Sequence, residues 1–566
     1  MSTNKCIPLN SITEDNLARR FTNRDYLIRQ FCESLNNDPA PKNILFFHGD
    51  GGNGKSLLLK FLREAHCKRV TSTNVWEQIS DLPKHMFAGA FRSVRVKFYT
   101  PVPATILDFG QQPLGEDKPQ DPFYGLLMLR RKVAIAATEL KCRLKFPLYD
   151  FACVWYLYKK GKSSEEIKRL FPLSEVAGLI APLLDSVNQT SVASIGKAVL
   201  DIFAKDLGHR FNLYLQKRAL TAVQVENICK KDLDTALINT LPHWFAQDLN
   251  AAIKQENSLQ RLVLFFDSHE AFWGHQRNLP DYTFFQKDEW LRRLLSSLEL
   301  SQGIVVVVAG REAPRWTDAP EPTIVHNYLN MKVGHLSATN AKVYLQNAEI
   351  SETHLTQAVI EYASITPDQV HPFYLGLCAD VVRTAKQRGT ILSSTDFATI
   401  PEIAAKSKVL INRLLQYANK EIEYAIHALS ACRNFDFDLY FKLGQALHFE
   451  ATKPAFDILA GFSFVWQNQP KHDNWYRIHD LLRRLYHELG NATTHDAHVI
   501  LEQHYREQGN VAEAIYHAIC HHRLRGMKEL LKVFNQAKQQ GDLELCRLLL
   551  KIRTEASLYS DKSHNQ

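Results

Sequence analysis

The sequence has no long apolar run. Its most hydrophobic stretch, GIVVVVAG at 303–310, falls far short of the roughly 20 residues that cross a bilayer, and no basic segment followed by an apolar one opens the chain. A protein that stays out of membranes, in a cytoplasmic setting, is expected. C-x-x-C pairs are also lacking: ten cysteines stand singly, which argues against a zinc ribbon or a thiol redox motif and fits a reducing compartment. No excess of one charge dominates, since 68 Lys and Arg against 60 Asp and Glu leave +8 without a dense basic tract. That balance describes a solvated surface and permits nucleic-acid contact without arguing for it. Kinase catalytic loops, G-x-S-x-G and H-E-x-x-H are absent as well, so the familiar kinase, hydrolase and zinc-protease chemistries have no carrier.

What is present is 566 residues with 45% hydrophobic content, enough for three or four domains with real cores. Residues 1–20 are polar and expected to form a leader. NILFFHGDGGNGKSLLLKFLREA (43–65) reads as a short strand, a glycine-rich turn and an apolar-periodic helix. SVRVKFY (93–99) alternates apolar and polar residues like a half-buried strand. Pro101, Pro103, Pro113, Pro119 and Pro122 then suggest a turn-rich linker. From about 123 to 256 the pattern is helical, as in YGLLMLRRKVAIAATEL, ASIGKAVLDIFAKDL and HWFAQDLNAAI. RLVLFFD (261–267) and GIVVVVAG return as strands of the kind buried on both faces of a parallel sheet. The helical block is therefore expected to be an insertion into an α/β domain. Beyond about 337 helices dominate, with a short β-wing around 462–480 and, at 500–534, a helix, glycine turn and helix that look like one tetratricopeptide-type pair.

GDGGNGKS matches G-x-x-x-x-G-K-[ST] in full. Gly49, Gly51, Gly52 and Gly54 allow the positive φ angles that turn backbone N–H groups toward a phosphate, with Asp50, Asn53 and Leu57 completing the cradle. Lys55 is placed to reach the β and γ phosphates of ATP or ADP, and Ser56 to ligate Mg²⁺, at the positive end of the following helix. Asp267, ending a buried strand, supplies the second Mg²⁺ ligand. Glu270, three residues on, is a candidate for orienting or deprotonating the attacking water, and Arg311 at the end of the next strand for sensing the γ phosphate. Lys55, Asp267, Glu270 and Arg311 form the expected catalytic set, and Ser56 and Asp267 the expected Mg²⁺ ligands.

In order, these pieces resemble the signal-transduction ATPases with numerous domains, the STAND branch related to AAA+ and NB-ARC proteins, over about Phe21 to Leu550. FTNRD (21–25) is similar to the entry motif whose backbone frames adenine, which carries Arg24 over as a nucleotide contact. HLSATNAKVYL (335–345) resembles the segment leading out of the sheet. VHPFYL (370–375) resembles the G-x-P motif near adenine and ribose, with Val370 in place of glycine, so only Pro372 carries over. RIHD (477–480) resembles the M-H-D motif, implying that His479 reaches the β phosphate of ADP and holds a closed state. Ser268 departs from the family, many of whose members have a second acid there, and the long helical block departs too.

The resemblance implies a multidomain α/β P-loop protein. The expected order is a leader at 1–20, a parallel-sheet nucleotide domain at 21–345 with a helical insertion at about 101–258, a helical domain at 346–400, a winged helix at 401–490 and a TPR-like helical region at 491–566. The expected function is an ATP/ADP-dependent switch with slow hydrolysis. Its C-terminal helices sense a protein trigger, and it forms a homo-oligomer when active. The alternative is a DNA-binding AAA+ ATPase of origin-recognition or transcription-regulator type, with Arg477, Arg483, Arg484 and Lys471 as contacts. A third reading is a scaffold with structural ATP. His517 and His521, at i and i+4 without a third ligand nearby, read as a solvated face rather than a metal site.

Overall fold

A computed structural model of the chain describes residues 24–110, 118–171, 222–255, 259–273, 279–320, 324, 326–398, 409–410, 420–462, 464–467, 475–488 and 491–556. Among them, Arg24–Gly334 form one compact unit and the residues from His335 onward another. The leader, Lys471 and the ASIGKAVLDIFAKDL segment lie outside the described residues. No helix among the described residues is long and apolar enough to cross a membrane.

The first unit is built on a parallel sheet of β1 (Asn43–His48), β2 (Ala104–Asp108), β3 (Leu262–Asp267), β4 (Ile304–Gly310) and β5 (Asn327–Lys332), in the order β2-β3-β4-β1-β5. The two apolar runs become central strands: every residue of β3 and β4 is buried, as a sheet covered on both faces requires. The polar β5 lies at the edge, with only Met331 fully buried. The helices Pro122–Glu139, Pro147–Lys159 and Ile238–Gln255 share one core with the sheet, in which Phe123, Trp155 and Phe245 join Leu107, Leu264 and Leu291. Asp121 starts the first of these by accepting from the N–H groups of Phe123 and Tyr124 (2.9 and 3.1 Å), with Pro122 at the first helical position. Arg130 and Asp150 tie it to the second through a buried bidentate pair (2.9 and 2.7 Å).

Two local expectations are corrected. SVRVKFY is not a half-buried strand: a helix runs to Arg92, Val96–Phe98 is a 3₁₀ turn, and only Tyr99–Pro101 pairs, with Lys68–Val70. Val96 is 76% exposed, so its alternation has no apolar face to bury against. The proline-broken linker, conversely, contains β2. Its prolines flank the strand rather than interrupt it, and Pro103 contributes an acceptor carbonyl to Val263 N (2.9 Å), which needs no proline N–H.

The second unit is helical, with a small antiparallel hairpin, Val465–Gln467 paired with Tyr476–Ile478, at the expected β-wing. One core runs from Leu336 through Ala514. Helix Asp480–Glu488 follows the hairpin, and Ala492–Glu507, Val511–His521, Arg523–Gln539 and Leu543–Ala556 follow in turn. The solvated-face reading of His517 is corrected, because its side chain is buried. No group of three or more His, Cys, Asp or Glu among the described residues is placed to hold a metal ion.

Candidate nucleotide site

The loop Gly49–Gly54 leaves the C-terminal edge of β1, and the helix Lys55–Ala65 takes over from it, with Leu58 N donating to Gly54 O (2.9 Å). The first N–H groups of that helix have no helical acceptor and form a ready anion cradle. Gly52 and Gly54 adopt φ of +83° and +79°, whereas Gly51 is not in the left-handed region, which narrows the expectation that all four glycines were needed for it. Gly49 is required by proximity: a Cβ there would sit 2.3 Å from Val333 O. Asn53 Nδ2 also donates to that carbonyl (3.1 Å), and Gly49 N to Gly310 O (3.3 Å), so β4 and the segment after β5 hold the loop.

A stability contrast follows. Gly49→Ala and Gly54→Ala are each expected to cost about 1–3 kcal/mol, the first by overpacking, the second by a left-handed φ. Gly51→Ala, whose Cβ would meet nothing nearer than Arg311 at 3.9 Å, should unfold within about 0.5 kcal/mol of the parent. Urea titration of the three variants checks this, and equal losses at all three positions would contradict it.

Lys55 is buried, and its ammonium donates to Gly49 O (2.6 Å) and Asp50 O (2.9 Å). Burial lowers its pKa, opposed by the nearby carboxylates of Glu270 and Asp267. Asp267 is buried at the end of β3, where burial and then the Asp108 charge push its carboxyl up to about 7, against a hydrogen bond from Ser56. Ser268 N also donates to it (2.8 Å), from a residue in left-handed backbone, φ +57°. Strain in a non-glycine residue tends to gather at functional turns. The turn is anchored by buried His269, whose Nε2 lies 3.1 Å from Asp288 Oδ2, and Asp288 is further held by Arg292 Nε (3.1 Å) and Trp316 Nε1 (2.8 Å).

That anchoring aims Glu270 at Arg311. Glu270 Oε1 pairs with Arg311 Nε (3.0 Å), and its Oε2 accepts from Arg311 N (3.1 Å). The structure thus brings Lys55, Ser56, Asp267, Glu270 and Arg311 together around the loop. Arg24 joins them: its Nη2 donates to Asn53 O (3.2 Å) and Gly334 O (2.5 Å), and burial pushes its guanidinium down to about 10. Ser56 and Asp267 offer adjacent oxygen donors in a locally anionic spot, a set that fits Mg²⁺ and that such a cation would neutralise. The cation would polarise phosphate oxygens. Sequence reasoning missed Asp108, the register partner of Asp267 across β2 and β3. Its signal was the short ATILD alternation ending in an acid, hidden among prolines.

Pro372 and His479 belong to the second unit. Pro372 opens the helix Pro372–Gln387, capped by His371, whose Nδ1 accepts from Phe373 N (3.2 Å). His479 follows the hairpin, its N–H donating to Phe464 O (2.8 Å), and its ring lies against Phe373 at 4.5 Å between centroids. The two sequence candidates therefore meet within this unit through Phe373. Arg483 is corrected as a DNA contact. It is fully buried, donating from Nη2 to Tyr516 Oη (3.1 Å) and from Nε to Ser430 O (3.4 Å). Arg477 and Arg484 are half-buried.

No family model matches the chain, and no curated protein matches it. Among solved structures, a chain of "Structure of Drosophila ORC bound to DNA" is similar over 88% of this chain and 95% of that chain, with a TM-score of 0.29 and 10% identity. A likeness that weak carries no weight for function.

Proposed function

We propose that the chain is a nucleotide-dependent switch of the STAND kind. It binds ATP or ADP with Mg²⁺ at Gly49–Ser56 and hydrolyses ATP slowly. The convergence of Lys55, Ser56, Asp267, Glu270 and Arg311 on one loop carries this reading. Lys55 and the loop N–H groups bind the phosphates, Arg311 reports the terminal one, and Glu270 holds Arg311 in place. The helices Phe437–Leu447 and Lys453–Ala460, the hairpin and helix Asp480–Glu488 are the order of parts expected of a winged helix and support that assignment. Helices 492–556 serve in this reading as the sensor of a protein trigger.

A switch needs different affinities for its two states, since a ligand shifts an equilibrium only by its differential binding. Light scattering on gel-filtered protein with ADP or ATP, with trigger-bearing extract added, is expected to show a monomer with ADP and a larger assembly with ATP. One monomeric mass under every condition would sink the proposal. His479 is the proposed latch on ADP. A hydrogen bond to a charged phosphate contributes about 1.5–3 kcal/mol, so His479→Ala should loosen the ADP-bound closed state by about ten- to a hundredfold. Titration with a fluorescent ADP analogue measures it, and unchanged affinity would remove the latch.

A further inference from the structure

Asp108 ends β2 beside Asp267, its register partner on β3, and adjacent parallel strands set such residues about 4.8 Å apart. Gly110 N donates to Asp108 Oδ1 (2.8 Å), folding the chain back over the strand end. A Cβ on Gly110 would lie 3.0 Å from Ser268 Oγ and 3.1 Å from Asp108 Oδ1, so the Ser268 hydroxyl and the Asp108 carboxylate flank the same small residue. Position 268 is where the sequence resemblance led one to expect a second acid. Glu270, the other candidate base, has both carboxylate oxygens engaged by Arg311, one by its guanidinium and one by its backbone N–H. To take a proton Glu270 would have to give up that pairing, whereas Asp108 accepts only a backbone N–H at Oδ1 among its described hydrogen bonds.

We propose that Asp108, reaching in from the neighbouring strand, is the general base that activates the attacking water, in place of an acid at position 268. Glu270 is then a positioning residue that acts through Arg311. The inference rests on the reading of the loop as an ATP-hydrolysing site. In the step, the water oxygen attacks the γ phosphorus and forms a P–O bond while the bond from that phosphorus to the β–γ bridging oxygen breaks. The bridging oxygen leaves with the electron pair as part of ADP, the water's proton passes to the Asp108 carboxylate, and inorganic phosphate is released.

Asp108→Asn keeps the shape and the Oδ1 acceptor while removing the base. Purified full-length parent, Asp108→Asn, Asp108→Glu and Glu270→Gln proteins are compared by phosphate release across pH and by equilibrium titration with a fluorescent ADP analogue in the presence of Mg²⁺. Asp108→Asn is expected to lower turnover by about a hundredfold, with Asp108→Glu partly restoring it. Its ADP affinity should stay within about threefold of the parent. Glu270→Gln should lose less than about tenfold in turnover. The proposal is overturned if Asp108→Asn keeps turnover within about threefold, or if Glu270→Gln falls as far as Asp108→Asn. A parent that binds nucleotide without hydrolysing it also overturns the role of Asp108 and leaves binding intact. A parent that binds neither ATP nor ADP overturns the underlying reading itself.

Discussion

Lys55→Ala is expected to lower kcat/KM for ATP hydrolysis by about three to five orders of magnitude. The ammonium of Lys55 lies within the loop, held by the carbonyls of Gly49 and Asp50 and attracted by Glu270 and Asp267. In the proposed reading, entering phosphates would exchange those neutral acceptors for charged ones. A charged hydrogen bond of about 1.5–3 kcal/mol corresponds to roughly ten- to a hundredfold in affinity. Removing a donor that faces charge developing in the transition state costs about another 10²–10³ in kcat. Lys55→Arg should rescue poorly, because a planar guanidinium does not replace a compact ammonium inside a loop this tight. Folding is not expected to suffer, since the lost group is a cation whose burial already disfavours its charge. Titration with an ADP analogue, phosphate-release kinetics and a melting curve separate these effects. Near-parental binding by Lys55→Ala would show that the loop does not hold phosphate.

The elements the sequence made legible are those whose local pattern agrees with their final burial. β3 and β4 are continuous apolar runs because they are central in a parallel sheet, and the loop motif is legible because its glycines, lysine and serine act through neighbours in the chain. β2 was hidden because prolines at both of its ends are ordinary for a linker and equally tolerable at a strand's margins. With β2 went Asp108, whose importance comes from cross-strand register, a relation invisible to a reading along the chain. SVRVKFY failed for the opposite reason, a strand-like alternation without a sheet to receive it. Arg483 and His517 show a third limit. Both are polar residues in helical patterns that look exposed, and both are buried against distant partners, Ser430 and Tyr516 for one and His498 for the other. The meeting of His479 with Phe373 is likewise a tertiary contact, which no reading along the chain pointed to.

The helical unit carries a built-in sensitivity to acid. His487 Nδ1 lies 2.6 Å from Arg483 O, an acceptor, so Nδ1 carries the proton and Nε2 accepts. His498 Nε2, 2.8 Å away, must then donate to it, which leaves His498 Nδ1 to accept from His517 Nδ1 at 2.8 Å. With all three imidazoles neutral, the chain carries one proton at each junction. Burial, then the surrounding cations, hold His498 and His517 well below the usual histidine range. The groups facing them are Arg483 and His487 from the helix Asp480–Glu488, Arg433 from before Phe437, and His521 from their own end of the bundle. The nearest acids do not offset this, since Glu513 and Glu555 pair with Arg433, and Glu502 with His521, Arg506 and Arg525. Depressed folded-state pKa values mean that stability is fully present above about pH 6.5, the unfolded histidine value, and is lost as pH falls below it. Each histidine kept neutral in the fold contributes a slope of about 1.4 kcal/mol per pH unit, so the two together give about 2.7. Below about pH 6.5 the unit should therefore lose stability progressively as pH falls. Urea unfolding of the full chain from pH 7.5 to 5 tests this, with His498→Gln as the partner experiment. Glutamine keeps one donor and one acceptor and does not titrate, so the variant should be less stable at neutral pH and show a shallower acid slope. An unchanged slope in His498→Gln would place the acid sensitivity elsewhere in the fold.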